Sequence, residues 1–184
     1  MSETPGPFGP WPVLERHVRY QGRFSIIEER RLTPDGEILW TTVEARWDAV
    51  VALPLWDDGT VTLVRQYRPP LGGTVLELPG GGVIKGTDPA EQARRELAEE
   101  CGIAADDVQP LTTVVAFGGA VDAKMHIYLA RGLRRLPPAG RDRHEFIEVV
   151  PMAFEELLSK VVAGELIDAP LVVATLLVRQ RGLA

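Results

Sequence analysis

The sequence predicts a mixed α/β sandwich. Strand-like stretches dominate the N-terminal half, a sharply punctuated helix interrupts them, and two further helical stretches close the chain. Strand character appears at 13–20, 24–32 and 38–46, with Thr33-Pro34-Asp35-Gly36 as a turn between the last two. Residues 1–11 are rich in Pro and Gly and read as a flexible or extended tail. Ala49 to Leu55 is a continuous apolar run, as expected of a central strand. Asp57-Asp58-Gly59 then predicts a hairpin turn into a strand over 61–67. A Pro/Gly segment leads to strand 75–78 and to a loop, Pro79-Gly80-Gly81-Gly82.

The next element is a helix of about 13 residues, bounded by the usual end signals. Asp88 is a good N-cap, Pro89 suits the first helical position, and Glu91 completes an Asp-x-x-Glu capping box. Gly102 supplies the stop. Residues 108–116 and 124–131 read as strands, 136–140 as a loop, Glu145 to Val150 as a short strand, and 152–162 and 169–181 as helices.

Length and composition describe one ordinary globular domain: 184 residues, 45% hydrophobic. The formal net charge of -6 argues against nucleic acid and against anionic membrane as partners. Small anionic substrates stay open, because local basic groups can serve them. No apolar run reaches the length of a transmembrane helix. The N-terminal residues lack a basic-then-apolar signal pattern. The single cysteine, Cys101, fits a reducing compartment, so a cytoplasmic protein is expected. Its acidic neighbours work against a nucleophilic thiolate. His17, His126 and His144 are scattered and do not form a metal-ligand spacing.

Arg95-Glu96-Leu97-Ala98-Glu99-Glu100 carries the chemistry. On a helix, Glu96, Glu99 and Glu100 stand at i, i+3 and i+4 and share a face, where like charges repel. They also sit in the last turn, against the negative end of the helix dipole. A hard divalent cation would relieve both penalties. Mg²⁺ takes oxygen ligands of this kind, typically one or two carboxylates together with substrate phosphates.

Gly81 to Ile103 resembles the Nudix box, with Gly81, Arg95, Glu96, Glu99, Glu100, Gly102 and Ile103 in register. Val64-Arg65-Gln66-Tyr67-Arg68-Pro69-Pro70, Leu76-Glu77-Leu78-Pro79-Gly80-Gly81 and the segment His144-Glu145-Phe146-Ile147-Glu148 look like the ADP-ribose pyrophosphatase branch. The resemblance implies an α/β/α sandwich with a mixed sheet, formed by residues 48–184, preceded by an N-terminal β extension, 12–47. It implies hydrolysis of a nucleoside diphosphate linked to another moiety, ADP-ribose or another nucleotide sugar, with Mg²⁺, or Mn²⁺ in its place, as cofactor. Glu96, Glu99, Glu100 and the Gly80 carbonyl would hold metal. Glu99 and Glu145 would serve the attacking water, and Arg95 would orient the glutamates. Arg68 and Glu77 flank the site. Arg68 could hold a phosphate or form a salt bridge, and Trp47 could stack on a base or fill the core. The N-terminal extension implies a homodimer.

The chain departs from the family pattern at four acidic positions. Thr87 stands where the box has its first Glu, and Ile84 where an acid is common. Only Asp122 survives of the acidic pair near Asp122-Ala123, and Arg143 occupies the position two before Glu145. The alternative is therefore a Nudix domain that binds a nucleotide ligand with weak or no turnover. Glu99, Glu145 and Glu148 are the remaining candidates for the base.

Overall fold

The structure, a computed structural model, describes residues 5–137 and 146–184. It divides into two compact units. The first comprises Met1–Trp47 and Val115–Ala123, the second Asp48–Val114 and Lys124–Ala184. Among the described residues no helix is long and apolar enough to cross a membrane.

The first unit is a three-stranded antiparallel sheet in the order β1 (Val13–Gln21), β2 (Phe24–Thr33), β3 (Gly36–Ala45). Every residue of β1 is exposed, while β2 in the middle buries Ile27 and Glu29. Cross-strand charges tie the sheet together, including Arg30 to Glu15 and Arg16 to Glu44. Val43 pairs with Val121, and the Ala45 N–H donates to Asp122 Oδ1 at 2.8 Å.

The second unit holds two sheets. One runs β7 (Gly80–Ile84), β4 (Trp47–Pro54), β9 (Met125–Arg135), β8 (Ile103–Val114); the other runs β10 (Ile147–Ala153), β5 (Thr60–Arg68), β6 (Gly73–Glu77). β4 and β9 are parallel, and β8 and β9 antiparallel, so the first sheet is mixed. Period-2 alternation divides the core. Val50 and Ala52 of β4, with Tyr128 and Ala130 of β9, pack under Ala93 and Leu97 of helix α1 (Pro89–Cys101). Leu53 and Leu55, with Ile127 and Leu129, face the other way. There they meet Val61 and Leu63 of β5, Leu157 of α2 (Phe154–Val162), and Leu171 and Val178 of α3 (Ala169–Gln180). The mixed α/β sandwich expected from the sequence is the observed architecture.

Several local expectations differ from the structure, among them the start of β8, at Ile103 rather than 108. Gly80 to Gly82, read as loop, open strand β7. The reason is steric: a Cβ on Gly80 would come within 2.2 Å of the Val50 carbonyl oxygen, so only glycine lets this strand lie against β4. The turn at Asp57-Asp58-Gly59 forms, with Gly59 at φ 80°, but β4 and β5 enter different sheets and share only the Leu55–Val61 bridge. Both edges of β4 are occupied, by β7 and β9, which leaves β5 no edge to join. Finally, β9 runs on to Arg135 and β10 keeps residues 151–153 extended, delaying α2 to Phe154.

Candidate active site

Helix α1 forms where its signals place it. Asp88 Oδ1 accepts the Ala90 N–H at 2.9 Å, Pro89 opens the first turn, and Gly102 closes the helix at φ 63°, its N–H donating to Ala98 O. Burial of Ala93 and Leu97 fixes the rotation of the helix about its axis. Glu100, seven residues after Ala93 and three after Leu97, is thereby turned inward and keeps only 3% of its surface exposed. A carboxylate so buried needs donors. One is the Gly80 N–H, 2.9 Å from Glu100 Oε2.

Glu96 lies one turn earlier on the same side and is half-buried. Its Oε1 accepts from Gln92 Nε2 at 2.5 Å. A Cβ built on Gly81 would fall 2.2 Å from that oxygen, so the carboxylate rests directly against the backbone of β7. The paired glycines therefore serve close approach rather than an unusual dihedral: neither has positive φ. Gly80 admits β4, and Gly81 admits Glu96.

Glu99 behaves differently. It sits on the outer edge of the acidic face, exposed, with its Oε1 3.7 Å from Arg95 Nε. Both side chains are in solvent, so the pair contributes little to stability. Arg95 is thus paired with a neighbour of Glu96. Thr87 Oγ1 donates to the Ile84 carbonyl at 2.8 Å, and Ile84 is itself 70% exposed. The end of β7 and the turn before α1 accordingly present an aliphatic side chain and a hydroxyl where the resembled pattern has acids.

On the second sheet of this unit, Glu77 is buried and held by a fork from Arg68: Nε to Oε1 at 2.8 Å and Nη2 to Oε2. The register pairs Val64 with Glu77 and places Arg68 on the same face. Hydrogen bonding to Glu77 holds the Arg68 guanidinium more firmly protonated, against partial burial, and the fields of Glu77, Glu100 and Asp168 add to it. Asp168 caps α3, its Oδ2 accepting the Leu171 N–H at 3.0 Å. Burial pushes its carboxyl up to about 6; the Leu171 N–H opposes the shift, the Glu77 charge adds to it, and Arg68 opposes it.

Of the site residues expected from the sequence, Arg68, Glu77, Gly80, Arg95, Glu96, Glu99 and Glu100 all fall in the second unit. Trp47 and Asp122 belong to the first. There Trp47 packs against Phe24, ring centroids 6.1 Å apart, with the Arg23 guanidinium 5.7 Å from its ring. Glu145, with Arg143 and His144, lies outside the described residues. Glu148 pairs in register with Arg65 and bonds to it at 2.7 Å. That places it on the face of its sheet opposite Glu77, which weighs against a role as base. Among the described residues no three Asp, Glu, His or Cys side chains converge as a preformed metal cluster. Two residues escaped the sequence reading, Gln92 and Asp168. The first stands at i−4 from Glu96, a spacing that signals contact on a helix. The second precedes Ala169-Pro170 and an apolar run, which signals an N-cap.

A sheet-bound glycine strand facing a helix that carries Arg-Glu-x-x-Glu-Glu defines the class of protein. The NUDIX domain model matches residues 45–171, and the chain belongs to that family. The branch is indicated by its relatives. The ADP-ribose pyrophosphatase of Bacillus subtilis is 34% identical over 137 residues, 74% of each chain. That of Mycobacterium tuberculosis is 31% identical over 153 residues, 79% of this chain and 72% of the other. A methanol dehydrogenase activator from Bacillus methanolicus is 30% identical over 142 residues, 77% of each chain. A crystal structure of an ADP compounds hydrolase superposes with a TM-score of 0.83 at 23% identity, covering 95% of this chain and 96% of that one, and shares the fold. The expected class, a Nudix hydrolase resembling the ADP-ribose pyrophosphatases, is what these likenesses support.

Proposed function

We propose that this protein hydrolyses the pyrophosphate of a nucleoside diphosphate linked to another moiety, ADP-ribose or another nucleotide sugar, to a nucleoside monophosphate and a sugar phosphate. One observation carries the reading: Glu96 and Glu100 converge on the Gly80–Gly81 backbone, one against Gly81 and one on the Gly80 N–H. Two hard oxygen donors held side by side fit Mg²⁺, which asks for only one or two protein carboxylates when phosphates complete its shell. Glu96, Glu100 and the Gly80 carbonyl would hold it, with Glu99 at the outer edge. When bound, such an ion neutralises phosphate charge and acidifies an attacking water.

The chain's own residues prepare that step. Burial of Glu100 keeps water from its carboxylate, and the Gly80 N–H holds it in place. Exposed Glu99, linked to Arg95, is available to take a proton from water; Glu145 shares that task. Arg68 keeps nearly half of its side chain in solvent while forked on Glu77, so a phosphate oxygen can reach its free edge. A homodimer through the exposed β1 sheet and a cytoplasmic setting complete the reading.

The test is turnover of ADP-ribose, other nucleotide sugars, dinucleoside polyphosphates and NADH with Mg²⁺. Release of a nucleoside monophosphate that disappears in Glu100→Gln supports the hydrolase. A second reading, a nucleotide-binding domain with little turnover, is favoured by Ile84 at the end of β7 and Thr87 in the turn before α1. It predicts ligand-dependent thermal stabilisation without product.

A further inference from the structure

Glu96 needs a fixed orientation if it is to meet a cation, and the helix supplies a neutral group for the purpose. Gln92 stands one turn before Glu96, both half-buried, and its Nε2 donates to Glu96 Oε1 at 2.5 Å. The same oxygen is the atom pressed against Gly81, where an added Cβ would lie 2.2 Å away. The carboxylate is therefore held between an amide on one side and the β7 backbone on the other. The adjacent cation, Arg95, is engaged elsewhere, with Glu99. The amide donor orients the carboxylate without adding a charge of its own.

We propose that Gln92 is the positioning residue of the metal site: it aims the Glu96 carboxylate at the Gly80–Gly81 strand and so sets the affinity for the divalent ion. The inference rests on the metal-site reading given above. Groups that orient metal ligands are known to matter: their loss commonly weakens metal binding by about 10–100-fold.

Mn²⁺ binding to the intact protein, followed by electron paramagnetic resonance and calorimetry without substrate, tests it. The series is wild type, Gln92→Ala, Gln92→Met, Glu96→Gln and Gln92→Ala combined with Glu96→Gln. Gln92→Met keeps the aliphatic stem and removes only the donor. Both Gln92 variants are expected to bind Mn²⁺ about tenfold more weakly while their melting temperatures stay near wild type. In the Glu96→Gln background the Gln92→Ala change should weaken binding no further, because Gln92 acts through Glu96. Activity should show the same displacement in the metal concentration giving half-maximal rate, with kcat at saturating metal close to wild type. Wild-type affinity in Gln92→Met, or an equal loss in the Glu96→Gln background, overturns the proposal and leaves the metal site standing. A wild-type protein that binds no Mn²⁺ overturns the metal site and this proposal with it.

Discussion

Asp168 caps α3 from a position that burial makes unfavourable for a charge. Its carboxyl is raised from an ordinary 3.8 to about 6. A carboxyl with a higher pKa in the folded state binds its proton more tightly there. Its contribution is complete below about 3.8, declines as pH rises, and is gone above about 6 to 7. The displacement corresponds to about 3 kcal/mol, and about 2 kcal/mol is a fair expectation once its remaining solvent contact is allowed for. Asparagine caps helices as well as aspartate and does not titrate in this range. Asp168→Asn should therefore be more stable than wild type by about 2 kcal/mol at pH 8, with the gap closing toward pH 4. Urea denaturation of both proteins from pH 4 to 8 measures the gap directly. A gap that stays constant with pH, or an asparagine variant less stable at pH 8, would refute burial as the dominant influence on this carboxyl.

The other expectations concern the glycine strand and the turn before the helix. Gly80→Ala drives a methyl into the Val50 carbonyl, a backbone atom that cannot swing aside, and should cost about 2–3 kcal/mol in a denaturant titration. Gly81→Ala meets instead the movable carboxylate of Glu96, so stability should change by less than about 1 kcal/mol while Mn²⁺ affinity falls. The two adjacent alanine variants are thus expected to fail in different assays. Thr87→Glu should raise turnover by restoring an acid to the exposed turn before α1; an unchanged or lower rate would show a site adapted to threonine.

Helix α1 was legible because its signals are local. The Asp88 cap, Pro89 and Gly102 act within a few residues, and all three operate as expected. The strand over 49–55 was legible from its apolar run, but its partners were not. β4 pairs in parallel with β9, and no local pattern records a partner so distant in the chain. β7 escaped for another reason. Three glycines carry no alternation of side chains, and their fitness for a strand lies in the space they leave for Val50 and Glu96. At the site, the register identified the glutamates, but only packing separates them. Leu97 draws Glu100 inward, while Glu99 is left outside with Arg95. The family resemblance supplied the chemistry, and Gln92 lay outside its motif.

The parallel pairing of β4 with β9 has a consequence for synthesis. Ala49 lies opposite Met125, so one edge of the central strand stays open until the chain has grown by a further 76 residues, the difference between those two positions. At about 5–20 residues per second, an emerging chain exposes that apolar edge for roughly 4–15 seconds. The glycine strand arrives sooner and covers the opposite edge. The helix and strand that present Glu96, Glu100, Gly80 and Gly81 are neighbours in the chain and are made well before β9. The nascent protein thus carries its acidic cradle first and closes the sheet beneath it last, and the open edge of β4 is where a chaperone would find it.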